Sequence, residues 1–274
     1  MSRVSELVER RELLVHLTLR ELRSRYKKSV LGWTWSLLNP LASVIIYWLV
    51  FSVFLEVEPP IGEPSGLQNF VLYLLCGLVL WNFFAGCVNL SLDAFLGNAN
   101  LIKKVYFPRE LLVVSGVASL LVSLFIEVGV LSVILLIAGN MVIPWLPVAI
   151  FQIAVLTVFV IGIGLFLSVA NVYFRDVKHF VAIAMQALFY SAPIVYPISV
   201  VPDEVDFLGR EIPIGEIYRL NPLVHFIENF RAVLYDLRFP PLRSTLYLVA
   251  WALVVLVLGW RFFTRHDGRL PEEV

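Results

Sequence analysis

Charge, cysteine and histidine are all scarce in this sequence. Only 15% of its 274 residues are charged and 59% are hydrophobic, whereas a soluble domain carries roughly 25% charged residues. A core of this size cannot hide the deficit, so a water-soluble enzyme or binding module is excluded and the solvent around the chain must itself be apolar. The two cysteines, Cys76 and Cys87, lie in one apolar stretch. On a helix they stand about 16 Å apart, beyond disulfide reach. The four histidines, His16, His179, His225 and His266, are scattered, with no H-E-x-x-H pair, so no metal site is expected. None of the five lysines follows a G-x-x-x-x-G loop, and no G-x-S-x-G elbow is present. The chain is therefore expected to hold no nucleotide and to perform no catalysis. Any uphill work must be driven by another chain. The first 28 residues are densely charged and lack an apolar h-region, so no secretory leader is expected. No nucleic-acid partner is expected of a chain with zero net charge and this hydropathy.

What the chain has in abundance is long apolar runs: 35–55, 69–92, 111–138, 146–171, 180–198 and 244–263. About 20 apolar residues cross a bilayer as a helix. The pattern predicts an all-α integral membrane protein of six transmembrane helices, forming one domain over 1–274. Ahead of the spans, in 1–33, Leu14, Leu19, Leu22 and Tyr26 share one helical face while Arg20, Arg23, Lys27 and Lys28 lie mostly on the other. This predicts an amphipathic helix over 3–28, lying on the membrane surface. Trp33 and Trp35 follow where an interfacial aromatic belt belongs. The connections 56–68 and 139–145 lack Lys and Arg, whereas 93–110, 173–180 and the tail 264–274 carry them. Placing both termini inside puts sixteen basic residues on the cytoplasmic side and five outside, the orientation that the positive-inside rule selects.

The stretch 199–243 is long, acidic and predicted to be outside. Within it Asn221 and Pro222 form an N-cap and a first-turn proline. Leu223, Phe226, Ile227, Phe230, Val233 and Leu234 then recur at helical spacing, interrupted by Glu228, Arg231 and Asp236. Such a helix cannot span. With Pro193 and Pro197 breaking the end of span five, 186–236 reads as re-entrant gate helices between spans five and six, since broken backbone at membrane depth needs a protein or water-filled cover. The bland alternative is an extracellular cap. Glu127, inside span three, is read as a structural acid between helices rather than a site.

Four segments then fall into a familiar order. RELRSRYKKSVLGWTWSLLNPL at 20–41, KKVYFPREL at 103–111, NVYFRDVKH at 171–179, and YPISVVP at 196–202 with NPLVHFIENFR at 221–231 resemble the membrane subunits of type-2 ABC polysaccharide exporters, which move O-antigen, teichoic acid or galactan. The resemblance covers nearly the whole chain. It implies a homodimer around a central channel, with two copies of an ABC ATPase beneath that hold ATP and Mg. The cargo would be a lipid-linked polysaccharide crossing the bacterial inner or plasma membrane. It further implies that 93–108 contains a coupling helix docking on the ATPase, with Leu101, Ile102, Lys103, Lys104, Val105, Tyr106, Phe107 and Arg109 at that contact. The helix at 3–28 would lie beside carrier-lipid entry, where Arg20, Arg23, Arg25, Lys27 and Lys28 suit a pyrophosphate. The outer gate would include Asn221, Pro222, Phe226, Glu228, Phe230 and Arg231.

Sugar rings present apolar C–H faces that stack on aromatics and hydroxyls that need polar partners. Trp35, Tyr47, Trp48 and Phe51 of span one and Gln186, Phe189, Tyr190 and Tyr196 of span five are the candidate channel lining. The alternative is that they face lipid or fill helix contacts. Three other functions compete: a permease for drugs or small lipids, a membrane-embedded glycosyl- or acyltransferase, and a non-catalytic assembly scaffold, which the sequence does not exclude. The second needs clustered interfacial acids or histidines, which the sequence lacks.

Overall fold

The computed structural model describes residues 10–26, 34–105, 107–207 and 210–270. Tyr106, Lys27, Lys28 and the start of the expected amphipathic helix lie outside these, as does the side chain of Arg25. Among the described residues the chain is mostly helical. In order it forms α1 (Arg11–Tyr26), α2 (Trp35–Tyr47) running on as a π-helix (Trp48–Phe54), α3 (Phe70–Asp93), the short α4 (Ala99–Lys104), α5 (Glu110–Ile137) and α6 (Leu146–Tyr173). Then come α7 (Val177–Tyr190), strands β1 (Val205–Phe207) and β2 (Arg210–Ile212), α8 (Ile214–Arg219), α9 (Pro222–Leu234) and α10 (Leu242–His266). The strands pair antiparallel in one small hairpin, Asp206 opposite Glu211, which the apolar pattern did not announce.

Among the described residues, four helices are long and apolar enough to cross a bilayer: α3, α5, α6 with the turn before it, and α10. Their ends fall within three residues of the apolar runs in the sequence. The remaining two apolar helices are shorter. The run 180–198 is not one helix: α7 stops at Tyr190, and residues 191–197 turn irregularly around Pro193 before a short helical turn at Ile198–Val200. A proline lacks the N–H that would continue the ladder and disfavours helix in the residue before it.

The ends of the long helices have local causes. Asn69 caps α3, accepting from Leu72 N at 3.1 Å. After α5, Gly139 adopts φ +88°, the left-handed conformation that a residue without Cβ enters freely. We call the end of the bundle where α1 meets the last turn of α10 the base, and the opposite end the crown. α3 and α6 are the most buried spans and form the centre. α5 and α10 turn one apolar face outward, with Ile137 81% and Leu258 60% exposed. Apolar surface on this scale belongs in lipid, and the protein is a membrane protein.

α6 and α10 approach backbone to backbone. A Cβ at Gly162 would lie 2.6 Å from the backbone of Val255 and Leu256, and one at Gly259 would overlap the Gly162 carbonyl. Small residues let membrane helices approach closely. Gly259→Leu is therefore expected to lower stability by roughly 1–3 kcal/mol or more. Gly129→Leu, at a position open to at least 4 Å, should be nearly silent. Thermal unfolding in detergent, followed by size exclusion, checks both.

Candidate functional site

At the crown, α9 packs among α3, α6 and α10. Asn221 caps it by accepting from Leu223 N at 3.0 Å, and Pro222 occupies the first turn, as the Asn-Pro pair predicts. The apolar stripe Leu223, Phe226, Ile227, Phe230, Val233 and Leu234 is buried throughout. Phe226 packs 5.6 Å from the ring of Phe159 in the middle of α6, which in turn stacks on Phe84 of α3. His225 bridges α10 and the turn before α9, bonding Ser244 Oγ at 2.9 Å and Arg219 O at 2.8 Å.

Arg231 is the centre of this arrangement. It is only 2% exposed. Its Nε donates to Tyr73 O at 3.1 Å and its Nη1 to Tyr73 Oη at 2.9 Å. Nη2 donates to Ile194 O at 2.7 Å, and Nη1 also reaches Pro193 O. Glu228, half-exposed one turn earlier, supplies the counter-charge at 3.1 Å. The guanidinium carbon sits 3.7 Å from the Tyr73 ring centroid, a cation–π contact. One side chain thus ties α9, the first turn of α3 and the break after α7. Sequence spacing shows only the Glu228/Arg231 pair. The carbonyl partners come from segments remote in the chain, and Pro193 is the sole hint.

A second set of bonds fixes the far end of α9. Tyr235 Oη lies 2.7 Å from Pro60 O and accepts from Asn69 N at 3.1 Å. Buried Asn140 donates to the carbonyls of Leu234 and Tyr235, at 2.8 and 3.1 Å, closing the end of the helix. Asp236 O accepts from Ser65 N at 3.1 Å. Burial holds the Asp236 carboxyl above its ordinary range, against the hydrogen bond from Arg238. Nearby, Tyr218 Oη bonds Tyr196 Oη at 3.2 Å, and Tyr196 donates to Tyr190 O at 2.6 Å. Tyr196 is therefore part of the strap after α7.

The other aromatic candidates stand on α2 and α7, the least buried apolar helices. Phe51 meets Phe70 at 5.1 Å, with Tyr47 beside it, and Phe189 meets Trp81 at 5.4 Å. Trp35, Trp48, Gln186 and Tyr190 are exposed on the same two elements. Glu127 lines a cavity of about 20 Å³ with Pro40, Val44, Leu75 and Val79.

At the base, 93–110 is not an open loop. It folds as a short helical turn and α4, and Ile102 and Phe107, 5% and 6% exposed, enter a core with Leu17 of α1, Phe95, Phe263 and Leu270. Lys103, Lys104 and Val105 face outward and Leu101 is half-buried. Arg109 does not face outward: it pairs with Asp267 at 2.8 Å and also bonds its carbonyl. Lys178 of α7 pairs with Asp93 at 2.8 Å. On α1, Arg20 bonds Asn98 Oδ1 at 2.7 Å and Glu21 at 2.8 Å. Arg20, Arg23, His16 and Ser24 line an open hollow of about 640 Å³.

Among the described residues, no group of three or more His, Cys, Asp or Glu is placed to hold a metal ion. Residues 12–235 match the ABC-2 type transporter family. The chain belongs to that family. It is 31% identical over 268 residues to the O-antigen export system permease protein RfbA of Klebsiella pneumoniae, covering 95% of this chain and 94% of that one. It is 30% identical over 271 residues to RfbA of Myxococcus xanthus, covering 98% and 96%. It is 26% identical over 266 residues to the polysialic acid transport protein KpsM of Escherichia coli, covering 93% of each. The family match spans α1 to the end of α9 and so includes both the Arg231 hub and the α4 region of this ABC-2 chain.

Arg231→Met should leave three buried carbonyls and the Tyr73 hydroxyl without their donor. Removing one member of a buried charged network costs roughly 3–5 kcal/mol. Hydrogen exchange measured by mass spectrometry should show 191–235 losing protection before the rest of the bundle. Arg231→Lys should rescue little, since an ammonium cannot present a planar fork.

Proposed function

We propose that this protein is the channel-forming subunit of an ATP-driven exporter of lipid-linked polysaccharide, with six spans, working as a homodimer with two copies of a separate ATPase. The observation that carries the reading is similarity over nearly the full chain to permeases of O-antigen and polysialic acid export. The apolar α2 and α7 count as the two remaining spans, α7 being completed by the irregular strap after it. α9 and that strap form the outer gate, held by Arg231. The exposed aromatic faces of α2 and α7, left open by a single chain, would meet the second copy across the polymer path. Stacking on aromatics tolerates many sugars, which suits a conduit that must not hold its cargo.

The base takes the power stroke. Lys103 and Lys104 of α4 and Val105 after it are exposed, and they offer cations around an apolar spot for the ATPase. Ile102 and Phe107 support that surface from inside. Arg20 and Arg23 at the hollow on α1 would meet the carrier pyrophosphate. Both chain ends lie in the cytoplasm, because the base carries most of the basic residues.

The deciding experiment is deletion of this gene followed by complementation. Polymer should accumulate on its lipid carrier inside the cell and reach the surface again with the wild-type copy. Unchanged surface polymer would sink the proposal, and loss of drug resistance instead would favour the small-molecule permease. Two variants test the parts. Lys103→Glu with Lys104→Glu should weaken co-purification of the ATPase roughly tenfold or more by charge reversal at an interface, while the subunit still inserts and dimerises. Cysteines placed at Ser65 and Asp206 should react with an impermeant maleimide on intact cells. Reaction only after lysis would invert the orientation.

A further inference from the structure

A trough of about 530 Å³ runs along the open side of the α6–α10 crossing. Its walls are apolar: Ile163 and Phe166 from α6, and Val255, Leu258 and Phe262 from α10. Its base end is closed by two cations, Arg261 and Arg265. These are one turn apart on the same face of α10, and both are exposed. Neither has an ion-pair partner among the described residues. The acid that follows them, Asp267, is taken by Arg109. The crossing at Gly162 and Gly259 brings the backbones together, and the wall residues Phe166 and Phe262 meet with rings 4.7 Å apart.

We propose that this trough binds one anionic phospholipid of the surrounding bilayer, its acyl chains along Phe166, Leu258 and Phe262 and its phosphodiester on Arg261 and Arg265. From Val255 to Arg265 the helix rises about 15 Å, the depth of one leaflet's hydrocarbon in a core about 30 Å thick. The apolar length and the charged end therefore match a lipid standing upright in the leaflet at the base. Guanidinium forks suit phosphate oxygens and bind them bidentately. Basic pockets between membrane helices on the cytoplasmic side are the usual form of such headgroup sites. Two arginines that served only to mark topology or to snorkel would need no trough beside them. The site depends on the bilayer location of α10 and not on the identity of the cargo.

The test uses the full-length protein, delipidated in detergent, and follows its thermal unfolding against phosphatidylglycerol or phosphatidylcholine of the same chain length. Phosphatidylglycerol should raise the midpoint and phosphatidylcholine should not. Arg261→Gln with Arg265→Gln should need roughly 30-fold more phosphatidylglycerol for the same rise, about fivefold for each cation lost near an anionic headgroup. Its midpoint without lipid should stay near that of wild type. Leu258→Trp, which fills the trough and leaves the charge alone, should also abolish the response, and it decides the matter if the double variant fails to fold. Arg243→Gln, at the crown end of the same helix, should respond like wild type. A wild-type response in both trough variants overturns the proposal, as does an equal loss in Arg243→Gln, which would mean diffuse surface charge. A response to polyprenyl pyrophosphate with none to phosphatidylglycerol also overturns it, because the trough would then belong to the carrier. So does a change of oligomeric state in Leu258→Trp with the lipid response intact, which would mean that a second copy covers the trough.

Discussion

A guanidinium carries five N–H donors and no acceptor, and the bundle has withdrawn Arg231 almost completely from water. Every donor left unmet there would be costly, because an apolar surround offers no substitute partner. The crown is organised around that requirement. The carbonyls of Pro193 and Ile194 are free to accept because α7 has ended and no later turn claims them. Tyr73, in the first turn of α3, offers its ring, its hydroxyl and its carbonyl to the same guanidinium. The broken helix and the buried charge satisfy each other: the irregular strap supplies acceptors, and the arginine supplies the donors that make irregular backbone tolerable away from water.

The base is held in a different way. There the bonds are individual ion pairs and hydrogen bonds on the rim of an apolar cluster, Arg109 with Asp267, Lys178 with Asp93 and Arg20 with Asn98. The exposed Lys178–Asp93 pair contributes little stability by itself, whereas Arg109 and Asp267 are largely shielded. These contacts fix relative position: α1 is tied to Asn98 ahead of α4, α7 to Asp93 at the end of α3, and Arg109 just before α5 to Asp267 just past α10. The described residues 101–107 are divided by the same cluster, with Ile102 and Phe107 inside and Lys103, Lys104 and Val105 outside.

How legible this was in the sequence follows from the range of each interaction. The four long helices could be read closely because twenty apolar residues in a row have few other solutions. Asn221-Pro222 marked the start of α9 because a cap is a local device. The end of α7 at Tyr190 was misplaced, because apolar character continues past the point where backbone geometry stops being helical. The hairpin at 205–212 carried no alternation strong enough to see. Arg231 was picked out only as half of an i, i+3 pair, since its other acceptors, the Tyr73 hydroxyl and the carbonyls of Tyr73, Pro193 and Ile194, lie on segments remote in the chain. Ile102 and Phe107 looked like surface for a partner because an apolar residue in a connection reads the same whether it serves the chain's own core or another protein.

The shortness of α7 has a consequence for the backbone that follows it. Fourteen helical residues rise about 21 Å, roughly 9 Å less than an average hydrocarbon core. The strap after α7 has no helical ladder to occupy its polar groups, and backbone of that kind needs protein or water around it. Arg231 provides that cover for Pro193 and Ile194, so the same side chain that anchors α9 also sets how far past Tyr190 the chain can continue away from water.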